Sequence, residues 1–221
     1  MTERPILFSA PMVRALLAGT KTQTRRAVKY NEGIQRLATN FEFRRSSPYP
    51  LAEDISGAYH YVLNCEDRFV GLSCPYGQPG DLLWVRESGW ERPERTPKMM
   101  REGADTWAPF IYDADYWPDA IPENERDDLK AWGWKRRPSI HLPRLGSRIL
   151  LEIVAVRVER LQDISEADAK AEGVTLPERT CTMYEGIWRD GYRDLWESIN
   201  GPGSWDANPW VWVIEFRRTD P

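Results

Sequence analysis

The chain has 221 residues, a formal net charge of −4, and a composition that is 41% hydrophobic, 29% charged and 12% aromatic. That length can bury a substantial core without disulfide or metal staples, and the composition excludes a disordered or collagen-like polymer. The mean hydropathy of −0.61, with no run near the roughly 18 apolar residues of a bilayer span, reads as a soluble globular protein with no membrane partner and, in residues 1–11, no export signal.

In chain order, Pro5-Ile6-Leu7-Phe8 reads as a short strand, Ser9 as an N-cap, Pro11 as a first-turn proline, and Met12 to Ala18 as a helix stopped by Gly19. Thr20 to Arg26 is polar, rich in β-branched residues and predicted extended, and residues 31–58 read as loop. Tyr59–Leu63 and Arg68–Leu72 flank Asn64-Cys65-Glu66-Asp67 as a hairpin, and Asp81 to Glu87 is a strand after the Pro79-Gly80 turn. Residues 88–136 are acidic and hold Trp90, Trp107, Trp117, Trp132 and Trp134, which predicts an irregular insertion packed by aromatics. Ile149 to Leu161 is a long strand, buried on both faces at first and on one face later.

Ser165-Glu166-Ala167-Asp168 resembles a capping box and opens a helix ending at Gly173. Residues 187–198 form a second helix, with Ile187, Tyr192, Leu195, Trp196 and Ile199 as its buried side, and Trp210 to Phe216 is a closing strand. Four to six strands with two or three helices and no βαβ rhythm predict an α+β domain around a small mixed sheet or barrel.

Three cysteines, Cys65, Cys74 and Cys181, are an odd number at wide spacing, and beside only His60 and His141 they allow no zinc pattern. No metal and no organic cofactor is expected, and free thiols fit a cytoplasmic location. Residues 1–50 hold nine Lys/Arg against three Asp/Glu, and residues 131–150 five against none, so two basic islands stand on an acidic body. Such a chain grips only a short stretch of nucleic acid or a single nucleotide, or else its basic residues are merely scattered over a solvated face; it does not coat a long nucleic acid.

The densest chemistry is Thr20-Lys21-Thr22-Gln23-Thr24-Arg25-Arg26. Gly19 and Lys21 do not make a phosphate-binding loop, because Thr20 separates them and the earlier glycine is missing. In an extended segment Thr20, Thr22, Thr24 and Arg26 share one face, and Lys21, Gln23 and Arg25 the other. A joint site of Lys21 and Thr24 therefore needs a bulge or bend between them.

Leu16 to Arg26, Pro79 to Glu87, Ile149 to Glu172 and Trp212 to Phe216, taken in that order, resemble the ASCH domain of the PUA-like superfamily. Pro138 to Arg144 and Asn200 to Trp205 extend the likeness to the longer members often encoded in phages and prophages. The resemblance spans nearly all of 1–221 as one domain, with elaborations at about 31–75 and 88–136. It implies a small β-barrel flanked by helices. The family includes an amidohydrolase acting on N4-acetylcytidine, and other members are described as RNA-binding or ribonuclease-like. The amidohydrolase pattern falls on Lys21, Thr24 and Glu172 as the catalytic group, without metal or cofactor.

A threonine hydroxyl needs a base, and a lysine serves only when its pKa falls from about 10.4 toward the working pH. That takes burial or a neighbouring cation such as Arg25 or Arg26. Glu172, in the last turn of its helix, would protonate the leaving amine, since the helix dipole opposes its charge there. Thr22, Arg25 and Arg26 join the substrate-binding set. Trp84 is either a stacking platform or a core residue, and Arg86 and Glu87 are candidates for a ribose or base edge. His141 is a candidate base contact or a structural histidine; Lys135, Arg136, Arg137 and Arg144 are candidates for phosphate. A non-catalytic RNA-binding or modified-base-reading module and a ribonuclease are the alternatives to the amidohydrolase.

Overall fold

A computed structural model of the chain describes residues 1–29, 42–44, 60–65, 68–91, 110–116, 121–175 and 185–219. In chain order its elements are β1 (Glu3–Leu7), α1 (Ala10–Leu17), β2 (Gln23–Ala27), β3 (Glu42–Arg44), β4 (His60–Cys65), β5 (Arg68–Ser73), β6 (Leu82–Arg86), β7 (Gly89–Glu91), β8 (Phe110–Tyr112), α2 (Glu123–Ala131), β9 (Lys135–Arg137), β10 (Leu150–Arg160), α3 (Glu166–Ala171), α4 (Ile187–Asn200) and β11 (Trp210–Thr219). This is a mixed α+β chain. It divides into two compact units, one of Met1–Thr20, Leu82–Glu152 and Arg218–Pro221, the other of Lys21–Asp81 and Ile153–Arg217.

In the first unit β1 runs parallel to β6, from Glu3 beside Leu82 to Leu7 beside Arg86, and the first residues of β10 lie antiparallel on the other edge of β6. Ile6, Leu83, Val85 and Leu151 are buried there. Helix α1 buries Met12, Val13, Ala15 and Leu16. Ser9 occupies the N-cap position but its hydroxyl makes no capping bond; Pro11 stands where the cap would find one of its two backbone N–H donors. The helix ends in a Schellman arrangement, with Gly19 at φ 73°, its N–H donating to Leu16 O, and the Thr20 N–H donating to Ala15 O.

Strand β7 pairs antiparallel with both β8 and β9. A side chain at Gly89 would meet the Ile111 carbonyl and the Phe110 ring, so only glycine fits this crossing. Trp90, Ile121 and Leu129 form the core of this sheet, with Ile111, Tyr116 and Trp134 against it. Of the insertion tryptophans, Trp90 and Trp134 thus pack, Trp132 is exposed, and Trp107 and Trp117 lie outside the described residues.

In the second unit β2 pairs antiparallel with β11, from Ala27 beside Val211 to Gln23 beside Glu215, and β11 lies between β2 and β10. Strands β3, β4 and β5 form an antiparallel meander, with Cys65 opposite Arg68; Glu66 and Asp67 of the expected hairpin turn lie outside the described residues. Leu161, Ile164, Ala169, Tyr192, Trp196, Trp205, Val211 and Val213 make one apolar cluster, which α3, α4 and β11 enclose. The strand orders are open, and the described strands of neither unit close into a barrel.

Four expectations are corrected here: residues 42–44 of the expected loop form β3, the insertion expected to be irregular holds the sheet β8-β7-β9 and helix α2, and two burial expectations fail. Ile199 is 60% exposed, because it lies on the apolar face of α4 but a turn beyond the cluster that Tyr192 and Trp196 enter. Along β10, Leu150, Leu151 and Ile153 are buried as expected, but Val154 is 52% exposed, while Glu159 on the opposite face is only 20% exposed. That face meets an ion-pair cluster, so it buries charge where periodicity suggests the valines. Trp196→Ala is expected to destabilise the fold by about 3–5 kcal/mol, and Ile199→Ala by no more than about 0.5 kcal/mol. Urea unfolding of the two variants checks this.

Candidate functional site

The site grows from the end of α3. Ser165 Oγ accepts from the Asp168 backbone N–H at 3.0 Å and starts this six-residue helix. Glu172 is its C-cap residue, one position past the last turn where the sequence places it, and Gly173 follows at φ 78°. A helix end leaves carbonyls without partners; Thr22 and Lys21 meet two of them, and Gln23 adds a second donor to the Asp168 carbonyl, which already accepts from the Glu172 N–H. The Thr22 N–H donates to Ala171 O at 2.9 Å, Lys21 Nζ to Glu172 O at 2.8 Å, and Gln23 Nε2 to Asp168 O at 2.7 Å.

The same contacts bring charges together. Lys21 Nζ lies 2.8 Å from Glu172 Oε2, and Arg25 Nη1 lies 3.1 Å from Glu172 Oε1. Arg25 Nη2 also reaches Glu159 Oε1 at 2.5 Å and Asp168 Oδ2 at 3.3 Å. Arg157 joins Glu159 at 3.0 Å, Asp168 at 3.3 Å, and Glu215. The Lys21, Arg25 and Glu172 side chains are 1%, 0% and 3% exposed, so their charges interact in a medium far less screening than water. The Tyr192 ring centroid lies 5.9 Å from the Arg25 guanidinium carbon.

Burial holds the Lys21 ammonium below the ordinary lysine range. Glu172 pulls the other way through its charge and hydrogen bond, and Arg26 and Arg25 add to the fall. For Arg25, burial acts downward but the Glu172 and Glu159 carboxylates outweigh it, so its pKa rises. Burial also acts against the Asp168 carboxylate, yet the Gln23 hydrogen bond with Arg25 and Arg157 brings its pKa down. Burial, then the Glu172 charge, pushes the Tyr192 phenol well up. Burial therefore works on the Lys21 ammonium against the carboxylate it touches at 2.8 Å.

Lys21, Gln23 and Arg25 therefore face α3 together, as alternation along an extended segment implies. Thr24 is buried at 4% exposure and pairs with Ile214 in a register that runs unbroken from Gln23 to Ala27. It projects to the face opposite Gln23 and Arg25, and no bulge within Gln23–Ala27 turns it toward Lys21. Thr22 is exposed and Arg26 half-buried. Glu159, Asp168 and Arg157 are absent from the sequence-derived set. The signal for Asp168 is its i, i+4 spacing to Glu172, which puts both carboxylates on one helix face.

The other nominated residues belong to the first unit. Trp84 is 8% exposed, with the Arg86 guanidinium 4.6 Å from its ring centroid, and Arg86 Nη1 donates to Ile140 O at 3.1 Å. Glu87 is buried and accepts two hydrogen bonds from Arg148, at 3.1 and 2.9 Å. Arg148 also forks onto Asp115, at 3.0 and 2.7 Å, and lies 3.9 Å over the Tyr112 ring. Burial raises the Glu87 pKa against the pull of Arg148. Arg136 pairs with Asp113, Arg137 with Glu91, and Arg144 with Glu3 at 2.7 Å. His141 is exposed and its carbonyl accepts from Arg137. The arginines of the second basic island thus stitch the first unit to its own carboxylates.

Arg148→Ala leaves Glu87 buried without its cation and is expected to cost about 3–5 kcal/mol. Arg144→Ala, at the exposed pair with Glu3, is expected to cost no more than about 1 kcal/mol. Parallel urea denaturation of both variants measures the contrast, and equal losses contradict it.

Among the described residues no group of three or more His, Cys, Asp or Glu side chains is placed to hold a metal, and no helix is long and apolar enough to cross a membrane. No protein-family model matches the chain, and no curated protein and no solved structure matches it.

Proposed function

We propose that this chain is an ASCH-type, PUA-like nucleobase-handling protein that deacylates an N4-acylated cytosine nucleoside. One observation carries the reading: Lys21 and Glu172, 151 residues apart in sequence, meet at 2.8 Å in a buried setting that lowers the Lys21 pKa. In this reading the segment rearranges on substrate binding so that Thr24 reaches the Lys21 side; the Lys21 amine then takes the Thr24 hydroxyl proton while the hydroxyl oxygen attacks the acyl carbon. The C–N bond then breaks. The departing N4 amine gains a proton through Glu172, which receives it from the Lys21 ammonium along their shared hydrogen bond, and water hydrolyses the acyl-threonine. Thr22, Arg25 and Arg26 stand around this group on the same segment.

A second reading, a non-catalytic module that binds a nucleobase or short RNA, is favoured by a different observation. Both oxygens of Glu172 are already engaged, by Lys21 and by Arg25, and Thr24 projects opposite Arg25. The two readings part in one assay. Purified protein is incubated with N4-acetylcytidine and, separately, with a short RNA, and cytidine, acetate and strand cleavage are followed. Hydrolysis predicts cytidine and acetate in equal amounts, falling at least about 100-fold in Lys21→Ala, Thr24→Ala and Glu172→Ala. Salt-sensitive RNA retention with no product supports the binding module instead, and cleaved RNA contradicts both.

A further inference from the structure

A lysine in a one-to-one contact with a carboxylate is a poor base, because the pair locks both charges. The arrangement around Glu172 is not one-to-one. Its Oε2 accepts from Lys21 and its Oε1 from Arg25, and Arg25 is itself anchored on its far side by Glu159 of β10 and Asp168 of α3. Those two carboxylates are in turn shared with Arg157. The Arg25 side chain is wholly buried under Tyr192 of α4, so its guanidinium has one place to be. Arg25 stands two residues from Lys21 on the same face of the segment and can donate through a rigid planar fork, which a lysine in its place could not.

We propose that Arg25 is a positioning residue: it divides the Glu172 carboxylate with Lys21, so that the ammonium is not locked and can release its proton. This rests on the reading of Lys21 as the base, and it adds a residue that touches no substrate. Glu172 holds its proton on, burial and the charges of Arg26 and Arg25 drive it off, and Glu159, Asp168, Arg157 and Tyr192 act through Arg25. Loss of Arg25 removes a neighbouring positive charge and leaves Glu172 wholly to Lys21. Both changes move the Lys21 titration in the same direction, upward.

The test needs no substrate. Protein labelled with ¹³C-lysine is titrated by NMR through the alkaline range, the Lys21 Cε resonance being identified by its absence in Lys21→Met. In Arg25→Gln the midpoint is expected to rise by about one pH unit; an unchanged or lower midpoint overturns the proposal. Should Arg25→Gln fail to fold, the double variant Arg25→Gln/Glu159→Gln keeps the net charge of the cluster. Its Lys21 midpoint must then exceed that of Glu159→Gln alone, and equality overturns the proposal. In the N4-acetylcytidine assay the acidic limb of kcat/KM against pH moves up by the same interval. A risen midpoint in a protein that hydrolyses nothing leaves the role of Arg25 standing and removes the amidohydrolase; turnover with an unmoved midpoint does the reverse.

Discussion

The carboxylate of Glu172 is the point on which the second unit's charged interior turns. It sits at a helix C-terminus, where the helix dipole is unfavourable to an anion, and it is almost wholly removed from water. Such a charge persists only with close, well-aimed partners. Lys21 and Arg25 supply them from the segment that also caps the helix, so the same few residues satisfy the backbone and neutralise the side chain. Lys21 serves both ends at once, bonding the Glu172 carbonyl and its carboxylate. Capping the helix and pairing the charge thereby tie residues 21–25 to the end of α3.

The first unit solves a related problem with different parts. Glu87 and Asp113 are buried carboxylates there, and Arg148 and Arg136 reach them from the stretch with five cations and no anion of its own. A basic run in a linear chain suggests a surface for phosphate. Here its arginines are spent on internal pairing, which explains why an acidic body needs such an island next to it. The stacking of Arg148 on Tyr112 and of Arg86 on Trp84 follows the same economy of using one cation for several contacts.

Much of the organisation is legible in the sequence. The Ser165 cap, the glycine stop after α1, the long strand ending in Arg160 and the shared face of Lys21, Gln23 and Arg25 all follow from local rules of capping and alternation. Strands β3, β7, β8 and β9 did not, because three residues are too few to display a period, and they raise the strand number among the described residues well beyond four to six. Glu159 and Asp168 were missed for another reason. Each looks like a solvated charge within its own element, and only the approach of Arg25 from 134 and 143 residues away in sequence gives them a buried partner. The valine face of β10 misled in the same way, since periodicity reports which face is apolar but not which face a neighbouring charge cluster will cover.

Lys21 and Glu172 meet inside the fold as one coupled pair. A double-mutant cycle of Lys21→Met and Glu172→Gln, read by urea unfolding at neutral pH, measures that coupling directly. The account predicts an interaction free energy of more than about 1 kcal/mol, in the range for contacting groups. Additivity to within about 0.3 kcal/mol, as for independent sites, would contradict it.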